Sequence, residues 1–312
     1  MDALVILGPT ASGKSILGLQ LAKELNGEII SVDSRQAYRH INIGTAKPTP
    51  AERRQVPHHL IDILELNERN NAQRFARTAL IVMDEVISRN KLPLLVGGSG
   101  LYFRSIFEGL FDIDIEQSQR SRFAEEMREI DTTELYRRLV DVDPESAGRI
   151  HPQDRYRVTR ALEVYSLTGT PLSDHFRRQR QEARHRERIF VKIGLHLPRG
   201  ELYRRIDERA KAMLASGWIE EVETLLQEGA DPRWPGLKTL GYPEVISFLR
   251  GKISKEEMVV TVSRQTRQYA KRQVTWFRKE RGVTWFSEDR QDTFSSVLRF
   301  VTERSDGFTS EG

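Results

Sequence analysis

The sequence predicts an α/β fold: a parallel sheet flanked by helices, with an inserted helical domain. Two observations predict it. Short apolar runs, each ending in a polar or glycine-rich turn, alternate with segments of helical periodicity, the pattern of a parallel sheet and its crossover helices. That alternation stops between Asp112 and Arg188, where the chain becomes charged and helical without a buried β run, and it resumes afterwards. The expected organisation is a core formed by 1–111 and 189–312, with an insertion at 112–188.

The first strand is Ala3-Leu4-Val5-Ile6-Leu7, and it runs directly into Gly8-Pro9-Thr10-Ala11-Ser12-Gly13-Lys14-Ser15. This octet reads G-x-x-x-x-G-K-[ST], and Ile16, Leu17, Leu21 and Leu25 follow at helical spacing. Strand, glycine-rich loop and helix together form the setting of a phosphate-binding loop. The glycines let successive N–H groups face phosphate oxygens, Lys14 adds a movable cation, and Ser15 can hold Mg²⁺. The core is therefore expected to be P-loop NTPase-like.

Glu28-Ile29-Ile30-Ser31-Val32 reads as the second strand, delivering Asp33-Ser34-Arg35-Gln36-Ala37-Tyr38 at its carboxyl end, the edge where open α/β sheets place their chemistry. A looser stretch with Pro48, Pro50 and Pro57 follows, and His58-His59 within it is read as polar loop. Leu80 to Glu85 imitates an apolar strand ending in Asp-Glu. However, Phe75, Ala79, Val82, Met83 and Val86 recur every three and four residues, which is a helical period. The third strand is Leu92-Pro93-Leu94-Leu95-Val96, closed by Gly97-Gly98-Ser99-Gly100.

Within the insertion, which opens with the polar stretch Asp112 to Ser121, Asp131-Thr132-Thr133-Glu134 has the form of a capping box opening a helix through Leu139. Arg155, Arg157, Arg160, Arg177, Arg178, Arg180, Arg184, Arg186 and Arg188 form a basic series. Phe190 to Leu195 restores a strand. A helix from Leu202 then ends near Gly217, and Ser254-Lys255-Glu256-Glu257 is a second capping box, opening a long helix towards Lys279. Val259, Thr266, Ala270 and Phe277 make its inward face, and Arg264, Arg267, Lys271 and Arg278 lie on another. Val283-Thr284-Trp285-Phe286 reads as the closing strand, followed by a polar tail expected to fray.

Composition narrows the function. Of 312 residues 30% are charged, and the net charge is only +4, yet the basic residues are unevenly placed, which points to a polyanionic partner. The absence of cysteine excludes disulfides and cysteine-ligated zinc. Met1-Asp2-Ala3 lacks the basic start of a secretory signal, and no apolar run is long enough to span a bilayer. A cytoplasmic protein with no membrane partner is expected.

The phosphate loop, the Asp33 to Tyr38 run, Gly97-Gly98-Ser99-Gly100-Leu101-Tyr102, Arg157-Val158-Thr159-Arg160-Ala161-Leu162-Glu163 and Lys271-Arg272-Gln273-Val274-Thr275-Trp276-Phe277-Arg278 occur in that order. In this set the chain resembles the bacterial tRNA dimethylallyltransferases, also called isopentenyl-tRNA transferases, from about residue 3 to about residue 287. The resemblance implies transfer of a dimethylallyl group from its diphosphate to the exocyclic N6 amine of the adenosine 3′-adjacent to the anticodon, with Mg²⁺ as cofactor and a monomer as the working form. By this resemblance Asp33 activates the amine, although an outer ligand of Mg²⁺ or a kinase base would use the same residue. Gly8 to Ser15 and Arg209 hold the diphosphate, with Arg205 as second choice for the extra cation, and Ser99 stands where most relatives carry threonine. Contacts to tRNA are implied for Asp33, Ser34, Arg35, Gln36, Ser99, Arg120 (or Arg122), Tyr156, Arg157, Arg160, Lys271, Arg272 and Arg278; many relatives have glutamine at the position of Tyr156. Two other classes fit part of the sequence. A phosphate-loop kinase explains Lys14, Ser15 and Asp33 but leaves the basic segments without a role, and a non-catalytic RNA-binding module leaves the phosphate loop idle.

Overall fold

The computed structural model describes residues 1–108, 117–183, 188–287 and 292–309. The expected boundary at 111/112, the stretch from Asp112 to Glu116, Arg184, Arg186 and the start of the tail at Glu288 lie outside the described residues, as does the side chain of Arg180. The chain divides into two compact units, Met1–Phe103 with Arg188–Gly312, and Arg104–Glu187.

The first unit is built on a six-stranded sheet of order β3-β2-β4-β1-β5-β6, in which every pairing is parallel. Strand β1 (Ala3–Leu7) leads through the glycine-rich loop into helix α1 (Lys14–Glu24), and β2 (Gly27–Val32) follows. After a long connection come α2 (Pro50–Gln55), β3 (His58–His59), α3 (Ala72–Ser88), β4 (Leu92–Gly97) and α4 (Gly100–Glu108). Because β4 inserts between β2 and β1 while the later β5 (Phe190–His196) pairs on the other side of β1, the strand order reverses at β1. The glycine-rich loop leaves β1 at this switch point, where the loops on either side diverge and leave a crevice.

Helices α10 (Arg199–Ala215), α11 (Trp218–Gln227), α12 (Tyr242–Leu249) and α13 (Lys255–Phe277) follow, then β6 (Val283–Ser287) and α14 (Thr293–Thr309). One hydrophobic core lies between the sheet, α1 and α14, with Leu4, Ile6, Leu21, Leu94, Ile193 and Val301 all fully buried. A second gathers Tyr38, Ile41, Trp218, Val222, Leu237, Tyr242 and Met258. Ser254 and Glu257 form the reciprocal capping box that starts α13, with bonds of 2.8 and 3.1 Å.

Four expectations for the first unit are corrected. The tail does not simply fray: α14 lays Phe294, Val297, Leu298 and Val301, spaced three and four apart, against α1 and the sheet, a helical period masked by its polar neighbours. His58 and His59 are an edge strand paired to Ile29 and Ile30, because the His59 ring and the Arg89 guanidinium each meet the buried Glu28 carboxylate at 2.7 Å. Ile16 is largely exposed, while Leu17 and Leu21 are buried. On α13, Ala270 and Phe277 are buried as expected, but Val259 and Thr266 are only half-buried and Met258, Val262 and Gln273 take the inward positions.

The second unit is helical, with α5 (Gln117–Glu126), α6 (Thr132–Val142), α7 (Pro144–Ala147), α8 (Arg155–Thr168) and α9 (Leu172–Ala183). Its own core is Phe123, Leu135, Leu139, Ala147, Val158, Ala161 and Leu162. Asp131 caps α6 through the Thr133 N–H at 2.8 Å, but Glu134 turns away to pair with Arg137 and Arg138, so the box is not closed. Arg155 is part of the unit's framework: its guanidinium donates to the carbonyls of Met127, Arg128 and Ile130.

Candidate active site

The carboxyl ends of β1, β2 and β4 open onto one cavity. Its floor is the glycine-rich loop. Gly13 adopts φ 85°, a left-handed conformation that costs glycine little, and it is the residue from which α1 starts. Thr10, Lys14 and Ser15 line this end. Asp33, Arg35 and Gln36 enter from the end of β2, and Arg209 from α10.

Arg209 is tied to the loop by a 2.5 Å bond from its guanidinium to the Thr10 hydroxyl. Lys14 donates to the Pro9 carbonyl at 3.0 Å. Burial, and next the Arg209 charge, push the Lys14 ammonium down to about 8, while Asp33 opposes the shift. Burial also lowers Arg209, again opposed by Asp33. Two cations confined together with one carboxylate leave an excess of positive charge, a setting that attracts an anion.

Asp33 accepts the backbone N–H of Arg35 at 2.8 Å, which fixes the carboxylate at the strand end. Beside it the Ser99 hydroxyl, buried, accepts the backbone N–H of Ser34 at 3.1 Å. Burial, then Asp33, push the Tyr269 phenol up to about 12, so it stays protonated at neutral pH. The remaining walls are mainly apolar: Ile206, Ala210, Met213, Trp218, Leu240 and Val262. Tyr269, Arg35 and Leu240 also border a neighbouring polar groove that adds Ser34, Lys238, Arg264, Gln268 and Arg272.

Of the residues singled out from sequence, the structure brings Thr10, Lys14, Ser15, Asp33, Arg35, Gln36 and Arg209 into the cavity. Ser34 and Arg272 line the groove, and Ser99 sits behind Asp33 and Ser34. Gly8, Pro9, Ala11, Ser12 and Gly13 shape the loop without lining the cavity. Arg205 is held by Glu201 at 2.7 Å and does not line it either. Gln36 is internally bonded, donating to the Ala46 carbonyl and accepting from Ser31. Lys271 on α13 and Arg278 just past its end are exposed, whereas Arg267 on that helix is committed to a two-oxygen pair with Asp207.

In the second unit, Arg120 and Arg122 lie on α5, and Arg122 pairs with Glu126. Tyr156, 81% exposed, and Arg157 and Arg160 lie on α8, where Arg157 pairs with Asp154 and Arg160 with Glu163. Arg177 is shared between Glu145 and Asp174, and Arg178 is exposed. Sequence reasoning missed Tyr269, Trp218 and Gln273 as parts of the site. A tyrosine and a glutamine inside an amphipathic helix carry no local signal of what they meet across the fold.

A family model described as IPP transferase matches residues 36–280. The chain is 42% identical over 303 residues to a tRNA dimethylallyltransferase of Geotalea uraniireducens, covering 96% of each, and 44% identical over 278 residues to one of Pelotomaculum thermopropionicum, covering 88% of this chain and 87% of that one. The chain belongs to the IPP transferase family. Among solved structures it is similar to the full-length tRNA isopentenylpyrophosphate transferase of Bacillus halodurans, with a TM-score of 0.71, 37% identity and 98% of each chain covered. It is also similar to a eukaryotic dimethylallyltransferase acting on tRNA, with a TM-score of 0.81, 29% identity, and 99% of this chain and 80% of that one covered. Membership in this family does not favour the kinase alternative. Among the described residues, no helix is long and apolar enough to cross a membrane.

Proposed function

We propose that this chain transfers the dimethylallyl group of dimethylallyl diphosphate to the exocyclic N6 amine of the adenosine 3′-adjacent to the tRNA anticodon, acting in the cytoplasm as a monomer. The observation that carries this reading is the convergence of Lys14 and Arg209 on one side of a cavity that also holds the Asp33 carboxylate. The cations suit a diphosphate, and the carboxylate suits an amine with a proton to lose.

In the reaction the amine nitrogen attacks the dimethylallyl carbon that bears the diphosphate oxygen. The carbon–oxygen bond breaks, and diphosphate departs with the electron pair. Adenine N6 is a poor nucleophile because its lone pair is delocalised into the ring. Asp33, held by the Arg35 N–H, accepts a hydrogen bond from the amine and then its proton, a contribution typically worth about 10²–10⁴ in rate. Lys14, Arg209 and the loop amides meet the charge that develops on the leaving group. Preorganised donors of this kind contribute roughly 3–4 kcal/mol each. The apolar wall of Ile206, Met213, Leu240 and Val262 suits the dimethylallyl carbons and excludes water that would compete with the amine.

Among the described residues no cluster of three or more histidines, aspartates and glutamates is placed to hold a metal. The Ser15 hydroxyl lines the cavity beside Lys14 and offers a hard oxygen donor, which fits Mg²⁺ held largely by diphosphate oxygens and water. When bound there, the ion would neutralise diphosphate charge. The groove bordered by Arg35, Lys238, Arg264 and Arg272, with the exposed Tyr156 and Arg178 of the unit Arg104–Glu187, supports tRNA contact. Reaching N6 requires the base to leave the anticodon-loop stack, at a cost of a few kcal/mol.

The test is to mix the protein with an unmodified anticodon stem-loop and either dimethylallyl diphosphate or ATP, and to weigh the RNA. The expected result is one dimethylallyl adduct on the adenosine with the first donor and no mass change with the second. Phosphorylated RNA with ATP would overturn the reading.

A further inference from the structure

Gln273 is buried on α13, and its side-chain amide bonds to two separate loops. Its Oε1 accepts the backbone N–H of Thr10 in the phosphate loop at 2.8 Å, and its Nε2 donates to the Gly98 carbonyl at 2.8 Å. Both ends of the amide are thus used in a defined orientation, and a second oxygen or a second nitrogen could not satisfy both partners. Thr10 in turn receives Arg209 on its hydroxyl, and Gly98 immediately precedes Ser99, whose hydroxyl holds the Ser34 N–H beside Asp33.

We propose that Gln273 is a positioning residue that locks the diphosphate half of the site to the acceptor half. It touches neither substrate. It holds the Thr10–Arg209 arm and the Ser99–Ser34–Asp33 arm at a fixed separation, so that leaving group and base face the reacting carbon from set places. The proposal rests on the transferase reading above. Its physical content is that the two loops it joins leave different strands, β1 and β4, and that one buried amide bonds the backbone of both. A misplacement of about 1 Å between reacting groups can cost roughly 100-fold in rate.

Three variants test it. Gln273→Met keeps the volume and removes both bonds. Gly98→Ala acts from the other side, since a Cβ at that position would come 2.4 Å from Gln273 Nε2 and displace that end of the amide. Gln273→Glu keeps an acceptor for Thr10 but puts a second oxygen against the Gly98 carbonyl. Steady-state alkylation, calorimetric binding of inorganic diphosphate and tRNA affinity are measured for each well below its melting temperature. In Gln273→Met, kcat should fall roughly 10–100-fold and diphosphate should bind several-fold more weakly, with tRNA affinity unchanged within about twofold. Gly98→Ala and Gln273→Glu, which disturb the Gly98 end of the amide, should each lower kcat below the wild-type value. Wild-type kcat and diphosphate affinity in Gln273→Met would overturn the proposal. So would a kcat loss that merely tracks the unfolded fraction seen by circular dichroism. Wild-type protein that fails to alkylate tRNA would instead overturn the transferase reading, while diphosphate binding would still report on the clamp.

Discussion

The Arg209 guanidinium reaches from α10 to the Thr10 hydroxyl of the phosphate loop, at 2.5 Å, across 199 residues of sequence. Its charge lies close enough to Lys14 to contribute to lowering that ammonium. Cations held together at such a cost are most favourable when an anion lies between them, which sets the first expectation. Arg209→Ala should lower kcat by about 10²–10³, and Arg209→Lys should recover only part of it because an ammonium lacks the planar fork. Single-turnover alkylation at saturating dimethylallyl diphosphate measures this, and a change confined to KM would show that Arg209 binds substrate and transition state equally.

Asp33→Asn keeps the shape of the carboxylate and one acceptor oxygen but removes the charge. The expected outcome is a loss of about 10²–10⁴ in kcat with dimethylallyl diphosphate affinity changed little. Near-normal turnover in this variant would assign amine activation to another group.

Lys14 has a definite pH signature. In the folded protein its ammonium titrates at about 8, below the 10.5 of an ordinary lysine, chiefly through burial and then through Arg209. Between these values the unfolded chain binds more protons, so the contribution of this group to stability rises with pH and is lost as pH falls through about 8. Diphosphate binding should run the opposite way, weakening above pH 8 as the Lys14 cation is lost. Calorimetric affinity for inorganic diphosphate between neutral pH and that of free lysine should show this trend, and Lys14→Met should flatten it.

The basic residues divide into two groups with different expected phenotypes. Arg178, Lys271 and Arg272 are exposed, and neutralising them should reduce the log–log salt slope of tRNA binding by roughly 0.7–0.9 for each phosphate that the protein no longer neutralises. Arg155 and Arg267 are bound by the protein itself. Arg155→Ala should lower the melting temperature by leaving carbonyls of Met127, Arg128 and Ile130 without a partner, a cost of about 1–3 kcal/mol, and leave the salt slope intact. Salt titrations alongside thermal unfolding separate the two groups.

Val301 on α14 is fully buried in the core shared with α1 and the sheet. Val301→Asp should destabilise the first unit by several kcal/mol, because an unpaired charge would enter an apolar core. Alkylation per folded molecule should stay unchanged, since α14 does not line the cavity.

Local sequence by itself determined the strand, loop and helix around Lys14, the strand that delivers Asp33, the glycine turn before Ser99 and the capping box that starts α13. Each of these rests on neighbours in the chain: apolar alternation, glycine conformations and cap side chains three residues apart. The family resemblance also carried Arg209 into the expected site. Tertiary structure alone decided which cations the protein pairs across the fold, because Arg155, Arg177 and Arg267 read like Arg178 and Arg272 in the sequence but meet partners from other segments. It also decided the burial of α14, the strand at His58–His59 and the two bonds of the Gln273 amide. For α14 the reason is an apolar face that only the folded core can cover, and for the polar groups it is hydrogen bonding. A buried polar group must find its partner wherever the fold places one, and for Gln273 those partners are 263 and 175 residues away.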